Sequence, residues 1–489
     1  MTATPLEPKQ AQRSRRRTVA ALLGVSLALH LPGLVVRLFS SDEASIATEA
    51  MVIAHGGKLY HQVADRKPPV VPYVVAAVFA VSDSHDLRPV RVVLAVAVGL
   101  TAILLAGEAE RRYRSRRAGV WCGVLFLFAV ASFFPDDSQG IGFELFMLLP
   151  MTAAVVAAGR DQPARAGVWL ALACLCKQTG VLTALPVLYL LHRWGGWRRQ
   201  RRAVVAAGTV TAVTALALGP RALWLWTVGG NSGYLSLHGS VTTSVLAAVS
   251  MSAALAALNL PVLFLAGRAA KRAVRAADGS VAPELWLWLA GGAVAVAAGF
   301  RFFGHYYLQL VPPVVLIAAG AVPAANDRLL RRVAVAAALP AVVMTGAAFV
   351  PQGDSGTLPW RAVGERVRDL TRPSQTVFVW GELPEVYVAA DRLPATRFVH
   401  TGFLTGNTGG RANGSGRVSD GVPGAWPMLL ADVARCPPDL VVDTSTAKIR
   451  QQEYYPLSTS PLWSFVASNY RLAATVDGVN LYRYQPGTS

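Results

Sequence analysis

TVAALLGVSLALHLPGLVVRLFSSDEASIATEAMVIAHGGKLYHQVADRKPP, residues 18–69, decides how this chain is read. Its first part, Thr18–Leu38, is apolar and long enough to cross a bilayer, which takes about 20 residues. Arg13, Arg15, Arg16 and Arg17 precede it. The run exceeds a signal-peptide core and lacks a small-residue cleavage site before Ser40, so it reads as an uncleaved span. The basic flank then puts residues 1–17 in the cytoplasm and Asp42 outside.

The polar half of the stretch holds Asp42-Glu43 and, 25 residues on, Lys67-Pro68-Pro69. Charges held beside a bilayer are costly, so they mark a reaction site. Ser40 or Ser41 starts a helical pattern with Ile46, Ala50 and Ile53 on one face, as in a helix lying along a membrane surface. Two readings of the acids stand side by side. Ser40 with Glu43 makes a capping box, and acids suit a helix N-terminus; alternatively the pair is chemical. Lys67 can likewise anchor to lipid phosphates or hold a lipid-linked phosphate substrate.

Working outward, 53% of the 489 residues are hydrophobic and 15% charged, against roughly 25% charged in an average soluble protein. A polytopic α-helical membrane protein is the class expected. The net charge is +18, and 33 of the 46 basic residues but only 16 of the 28 acidic ones precede Pro351. That bias reports membrane topology and not nucleic-acid binding. The excess of Arg over Lys, with abundant Ala, Val, Gly and Leu, points to a bacterial plasma membrane. Three of the four cysteines, Cys122, Cys174 and Cys176, lie in apolar segments, so no disulfide framework is expected.

Further apolar runs cover about 91–109, 118–134, 142–158, 165–176, 179–192, 203–219, 244–266, 283–299, 307–325 and 333–350. Basic loops, RRYRSRR (111–117), RWGGWRRQRR (193–202), GRAAKRAVR (267–275) and NDRLLRR (326–332), alternate with loops poor in bases and fix the parity of the spans. Residues 69–82 are short for a crossing and would reverse that parity, so they are expected to form an outer-surface or re-entrant juxtamembrane helix. The pair 165–176 and 179–192, hinged at Lys177, reads as two crossings or one broken helix. The expected division is a basic N-terminus (1–17), a transmembrane domain of about 11 spans (18–350) whose first outer loop is 39–90, and an extracytoplasmic α/β domain (351–489).

In that last region, TVFVWGE (376–382), TRFVH (396–400), DLVVDT (439–444) and GVNLYRY (478–484) read as strands. Helical stretches near 360–370, 426–435 and 461–470 interleave with them. The Gly-rich run 404–424 is expected to be a flexible cover. Two more polar groups face the same side as Asp42. FFPDDSQGIGFELF (133–146) carries Asp136, Asp137 and Glu144, and GFRFFGHYYLQLVPP (299–313) carries Arg301, His305, Tyr306 and Tyr307. Solvated loop acids and an aromatic belt explain them as well as a substrate site does.

Taken together, Asp42-Glu43 after the first span, GGKLYHQVADRKPP (56–69), the acidic second outer loop, ACLCKQTGVLTALP (173–186) and GFRFFGHYYLQLVPP resemble the GT-C superfamily of polyprenyl-phosphate-sugar-dependent glycosyltransferases. The branch is that of family 39, the protein mannosyltransferases and the lipid A aminoarabinose transferases. The resemblance spans roughly residues 18–325.

It implies a GT-C-like membrane domain topped by an external domain, and an enzyme: an inverting hexosyl- or pentosyltransferase. The donor would be a polyprenyl-phosphate-linked sugar. The acceptor would be a hydroxyl of a cell-envelope glycan, a glycolipid or a protein at the outer face of the plasma membrane. By the same resemblance Asp42, with Glu43, is the catalytic group that takes the acceptor proton. Lys67, Arg301 and His305 meet the donor phosphate, and Asp136, Asp137, Tyr306 and Lys177 hold substrate. A divalent metal, Mg or Mn, held by Asp42, Asp136 or Asp137 is left open, because Asp136-Asp137 departs from the Asp-x-Asp of metal-dependent relatives. The tail lacks the look of a β-trefoil, which favours a glycan or glycolipid acceptor. The alternative is a flippase or transporter of lipid-linked sugars without catalysis; the paired repeats and mid-membrane charges usual in transporters do not stand out here.

Overall fold

Apolar helices dominate the computed structural model, which describes residues 8–231, 241–276, 282–350, 359–406, 417–447 and 455–485. Among the described residues five helical stretches are long and apolar enough to cross a membrane: Leu87–Tyr113, Gln178–Leu218, Val241–Leu258, Gly304–Ala324 and Asp327–Ala347. Val70–Ser82, Phe143–Gly159, Pro163–Cys176 and Pro283–Ala297 are shorter apolar helices. This is the helix set of a multi-pass membrane protein. The chain divides into two compact units, one of Met1–Arg37, Arg91–Thr211 and Leu246–Pro351, the other of Leu38–Val90, Ala212–Val245 and Gln352–Ser489.

In the first unit the helix Pro8–Leu29 ends in a tight turn, Leu31–Leu34, whose carbonyls need partners where water is scarce. Arg91 supplies them. Its buried guanidinium donates to the carbonyls of Gly33 (2.8 Å), Val36 (2.5 Å) and Arg37 (3.1 Å). Two expected boundaries differ. The basic stretch 193–202 is helical within Ala184–Leu218, interrupted only at Gly195 and Gly196, because arginine is a good helix former and only the glycines leave helical geometry. The run 244–266 breaks at Asn259, whose side chain bonds back to the Leu255 carbonyl (3.1 Å), and Pro261 then opens the helix Leu260–Ala276.

The second unit is built around a four-stranded sheet, β1 (Val377–Trp380), β2 (Leu440–Asp443), β3 (Tyr470–Val476) and β4 (Val479–Tyr484), in the order β1-β2-β4-β3. β1 and β2 are parallel, with Val377 opposite Leu440; the other pairings are antiparallel, and β3 carries an irregularity at Leu472/Ala474. β1 and β2 are buried throughout, as fully covered strands of β-branched residues should be. Trp360–Leu370, Ala425–Arg435 and Trp463–Asn469 supply the interleaved helices. TRFVH is not a strand. Asp432 accepts from the Arg397 backbone N–H (3.1 Å) and from its guanidinium (2.8 and 2.9 Å), which takes that N–H away from any ladder. Residues 407–416 of the expected cover lie outside the described residues.

The segment 38–90 shares the core of this unit. Val52, Leu59, Tyr60, Val63 and Ala64 are buried in one cluster with Trp226, Phe378, Phe398, Phe403 and Leu440. Ala64 N–H donates to the Arg397 carbonyl (2.9 Å). Trp226 meets Phe398 and Phe403 edge-on, with centroids 6.1 and 5.4 Å away. Burying so large a ring against two others makes it the anchor of the cluster. Trp226→Ala should therefore cost about 3–5 kcal/mol, read as a lower unfolding midpoint of the purified protein in detergent; an unchanged midpoint would refute the packing role.

Candidate active site

The second unit gathers charge at the start of the helix Ser41–Ala54. Ser40 caps it, accepting from the Glu43 N–H (3.2 Å), while the Glu43 carboxylate reaches back to accept from the Phe39 N–H (2.9 Å). The capping role read from the sequence is thus in place, with Glu43 fully buried. Ser41 donates to Glu385 (2.5 Å). Asp42, next along, is turned outward and accepts from Lys67 Nζ (3.3 Å), with 56% of the Asp42 side chain exposed against 20% for Lys67. An exposed pair of this kind adds only about 0–1 kcal/mol to stability, so what it does for the fold is small.

Lys67 is aimed by its backbone. Pro68 and Pro69 lead directly into the helix Val70–Ser82, and the Tyr60 hydroxyl donates to the Lys67 carbonyl (2.7 Å). Tyr60 itself has φ +71°, a conformation costing about 1–3 kcal/mol for a bulky residue. It is held there by its N–H bond to Val63 O (2.6 Å) and by burial.

Behind the pair lie two acids that the sequence reading did not single out. Glu49, one heptad after Asp42 and so on the same helix face, is 3% exposed, and its Oε2 is buried without a hydrogen-bond partner. Burial first, then Asp65 and Asp42, push its carboxyl well above the usual range, against the pull of Lys67. Asp65 is also raised by burial, opposed by Lys67, Arg66 and its bond from the Arg66 N–H (2.7 Å). His400 completes the group. Burial, together with the charges of Arg66 and Lys67, pushes its imidazole down to about 3.

The first unit holds a separate polar cluster. Asp137 accepts from both the backbone N–H and Nδ1 of His305 (2.9 Å each), and a Cβ at Gly304 would push its carboxylate out of this position. Lys177 pairs with Glu144 and lies 3.9 Å over the Tyr306 ring. His305 stacks on Phe303, and its Nε2 is 3.8 Å from Glu144. Arg301 is half-buried in a loop where Gly299, Phe300 and Phe302 all have positive φ. Asp136 is exposed on the short helix Pro135–Ser138. Asp137, His305, Tyr306, Glu144 and Lys177 are thereby brought together, with Tyr306 buried beneath the Lys177 ammonium. For a metal the donor set is poor: among the described residues no group of three or more His, Cys, Asp or Glu is placed to hold one.

A family described as dolichyl-phosphate-mannose-protein mannosyltransferase matches residues 66–224, about a third of the chain. No curated protein matches by sequence. Among solved structures, the ArnT protein of Cupriavidus metallidurans bound to undecaprenyl phosphate superposes with a TM-score of 0.62 at 13% identity, covering 95% of this chain and 97% of that one. The Archaeoglobus fulgidus oligosaccharyltransferase superposes at 0.54 and 12%, covering 97% of this chain and 75% of its own. The fold is that of the GT-C glycosyltransferases, as the sequence motifs implied.

The raised carboxyl of Glu49 has a thermodynamic signature. A carboxyl lifted on folding stabilises the protein below its ordinary value of 4.5, and that contribution is lost as pH rises toward the lifted value. Unfolding midpoints should fall as pH rises from about 4.5, and Glu49→Gln should flatten the slope and raise stability at neutral pH. An unchanged slope in the variant would refute the buried neutral acid.

Proposed function

We propose that this GT-C-fold chain is an inverting glycosyltransferase of the plasma membrane. It moves a monosaccharide from a polyprenyl-phosphate donor to a hydroxyl of a cell-envelope glycan, glycolipid or protein. In this reading the N-terminus is cytoplasmic, the chain crosses the bacterial membrane about eleven times, and residues 351–489 are extracytoplasmic. The observation that carries it is the Asp42–Lys67 pair, 3.3 Å apart although 25 residues separate them in sequence. A base beside a cation is what this transfer needs.

The acceptor oxygen must lose its proton as it attacks the anomeric carbon, and Asp42 takes that proton. The bond from the anomeric carbon to the phosphate oxygen breaks, and its electron pair leaves with the polyprenyl phosphate, which gains one negative charge. Lys67 stabilises that charge where it develops. One displacement inverts the carbon, so a second nucleophilic carboxylate is unnecessary. Glu43 acts through position, fixing the helix start that presents Asp42. Arg301 and His305 are proposed as phosphate-facing groups of the first unit, with Asp137, Tyr306 and Lys177 around them and Asp136 at the surface.

Purified protein in detergent, assayed against a panel of polyprenyl-phosphate sugars, tests the reading. Asp42→Asn should lower turnover by about 10²–10⁴-fold and leave the unfolding midpoint almost unchanged, since Asp42 is more than half exposed. Turnover like that of the wild type in a well-folded Asp42→Asn protein would sink the assignment of the base.

A further inference from the structure

Residues 396–405 are tied to the segment that carries Lys67: the Ala64 N–H donates to the Arg397 carbonyl (2.9 Å), three residues before His400. His400 sits between Phe398 and Phe403, both fully buried and both packed edge-on against Trp226. The Thr401 N–H is tied to the Gly381 carbonyl (3.1 Å), and the His400 ring lies 4.9 Å from that of Phe403. The mount is rigid. His400 Nδ1 accepts from the Gly402 N–H (3.2 Å). A ring nitrogen that accepts carries no proton, so in the neutral ring the hydrogen is on Nε2. His400 as a whole is half-buried, and burial, with the charges of Arg66 and Lys67, holds its imidazole low.

From this placement we infer that His400 is a donor-binding and catalytic residue whose Nε2–H donates a hydrogen bond to a phosphate oxygen of the lipid-linked donor. The inference rests on the glycosyltransferase reading above. When the bond to the anomeric carbon breaks, the diester monoanion becomes a monoester dianion, and the proton lost by the acceptor resides on Asp42. The added charge falls on phosphate oxygens, where a fixed neutral donor strengthens its bond without any proton being transferred. A neutral imidazole adds a donor without adding charge, and burial, with the charges of Arg66 and Lys67, disfavours its protonated form.

Two measurements on the full-length protein test this. The first is binding of undecaprenyl phosphate in detergent micelles, which needs no sugar transfer; the second is turnover with the active donor. His400→Ala should weaken undecaprenyl phosphate binding about tenfold and lower kcat about 10²-fold. His400→Gln, which retains an N–H donor at similar reach, should recover most of both. The pH–rate profile of His400→Ala should run parallel to that of the wild type. Equal binding of the lipid by wild type and His400→Ala overturns the role of His400 alone. A wild type that neither binds the lipid nor transfers sugar overturns the reading on which it rests. Equal losses in Ala and Gln variants with lowered unfolding midpoints, or a profile limb lost in His400→Ala, overturn the neutral-donor role.

Discussion

A buried carboxylate tied to its own backbone is the constraint on which the candidate site depends. Glu43, fully buried, accepts from the Phe39 N–H, while Ser40 accepts from the Glu43 N–H. These bonds fix where the helix Ser41–Ala54 begins and how it is rotated. Once the start is fixed, position dictates role: Ser41 meets Glu385, Asp42 faces outward to Lys67, and Glu49 comes to the same face two turns on.

The electrostatics follow from unequal burial. Desolvation pushes the carboxyls of Glu49 and Asp65 upward, while Lys67 pulls against both shifts. Beside them stands the Lys67–Asp42 pair, with the Asp42 carboxylate more than half exposed. In the proposed transfer, a phosphate-bearing donor would meet the Lys67 cation where its charge grows, and the acceptor would meet the Asp42 base.

Much of this was legible in the chain itself. The cost of charge near lipid singled out Asp42 and Lys67, and the alternation of basic loops spoke for a polytopic protein. Ser40 and Glu43 announced a helix start, and β1, β2 and β4 fell within the runs read as strands. What escaped notice was tertiary. His400 and Glu385 lie more than 300 residues from Asp42 in sequence, and no local pattern links them. TRFVH had strand composition but lost its ladder to Asp432, a competitor 35 residues away. Glu49 did leave a trace, its seven-residue spacing from Asp42, which places both on one face.

The shared core of segments 38–90 and 352–489 has a consequence for how the protein is made. Ala64 binds the Arg397 carbonyl, and Leu59 and Val63 are buried in a cluster most of whose other members are synthesised 300 or more residues later. At about 5–20 residues per second, the first loop waits roughly 15–60 s for the partners that cover it. During that interval its apolar residues lack the partners that cover them, and a chain halted before the sheet exists leaves this core open.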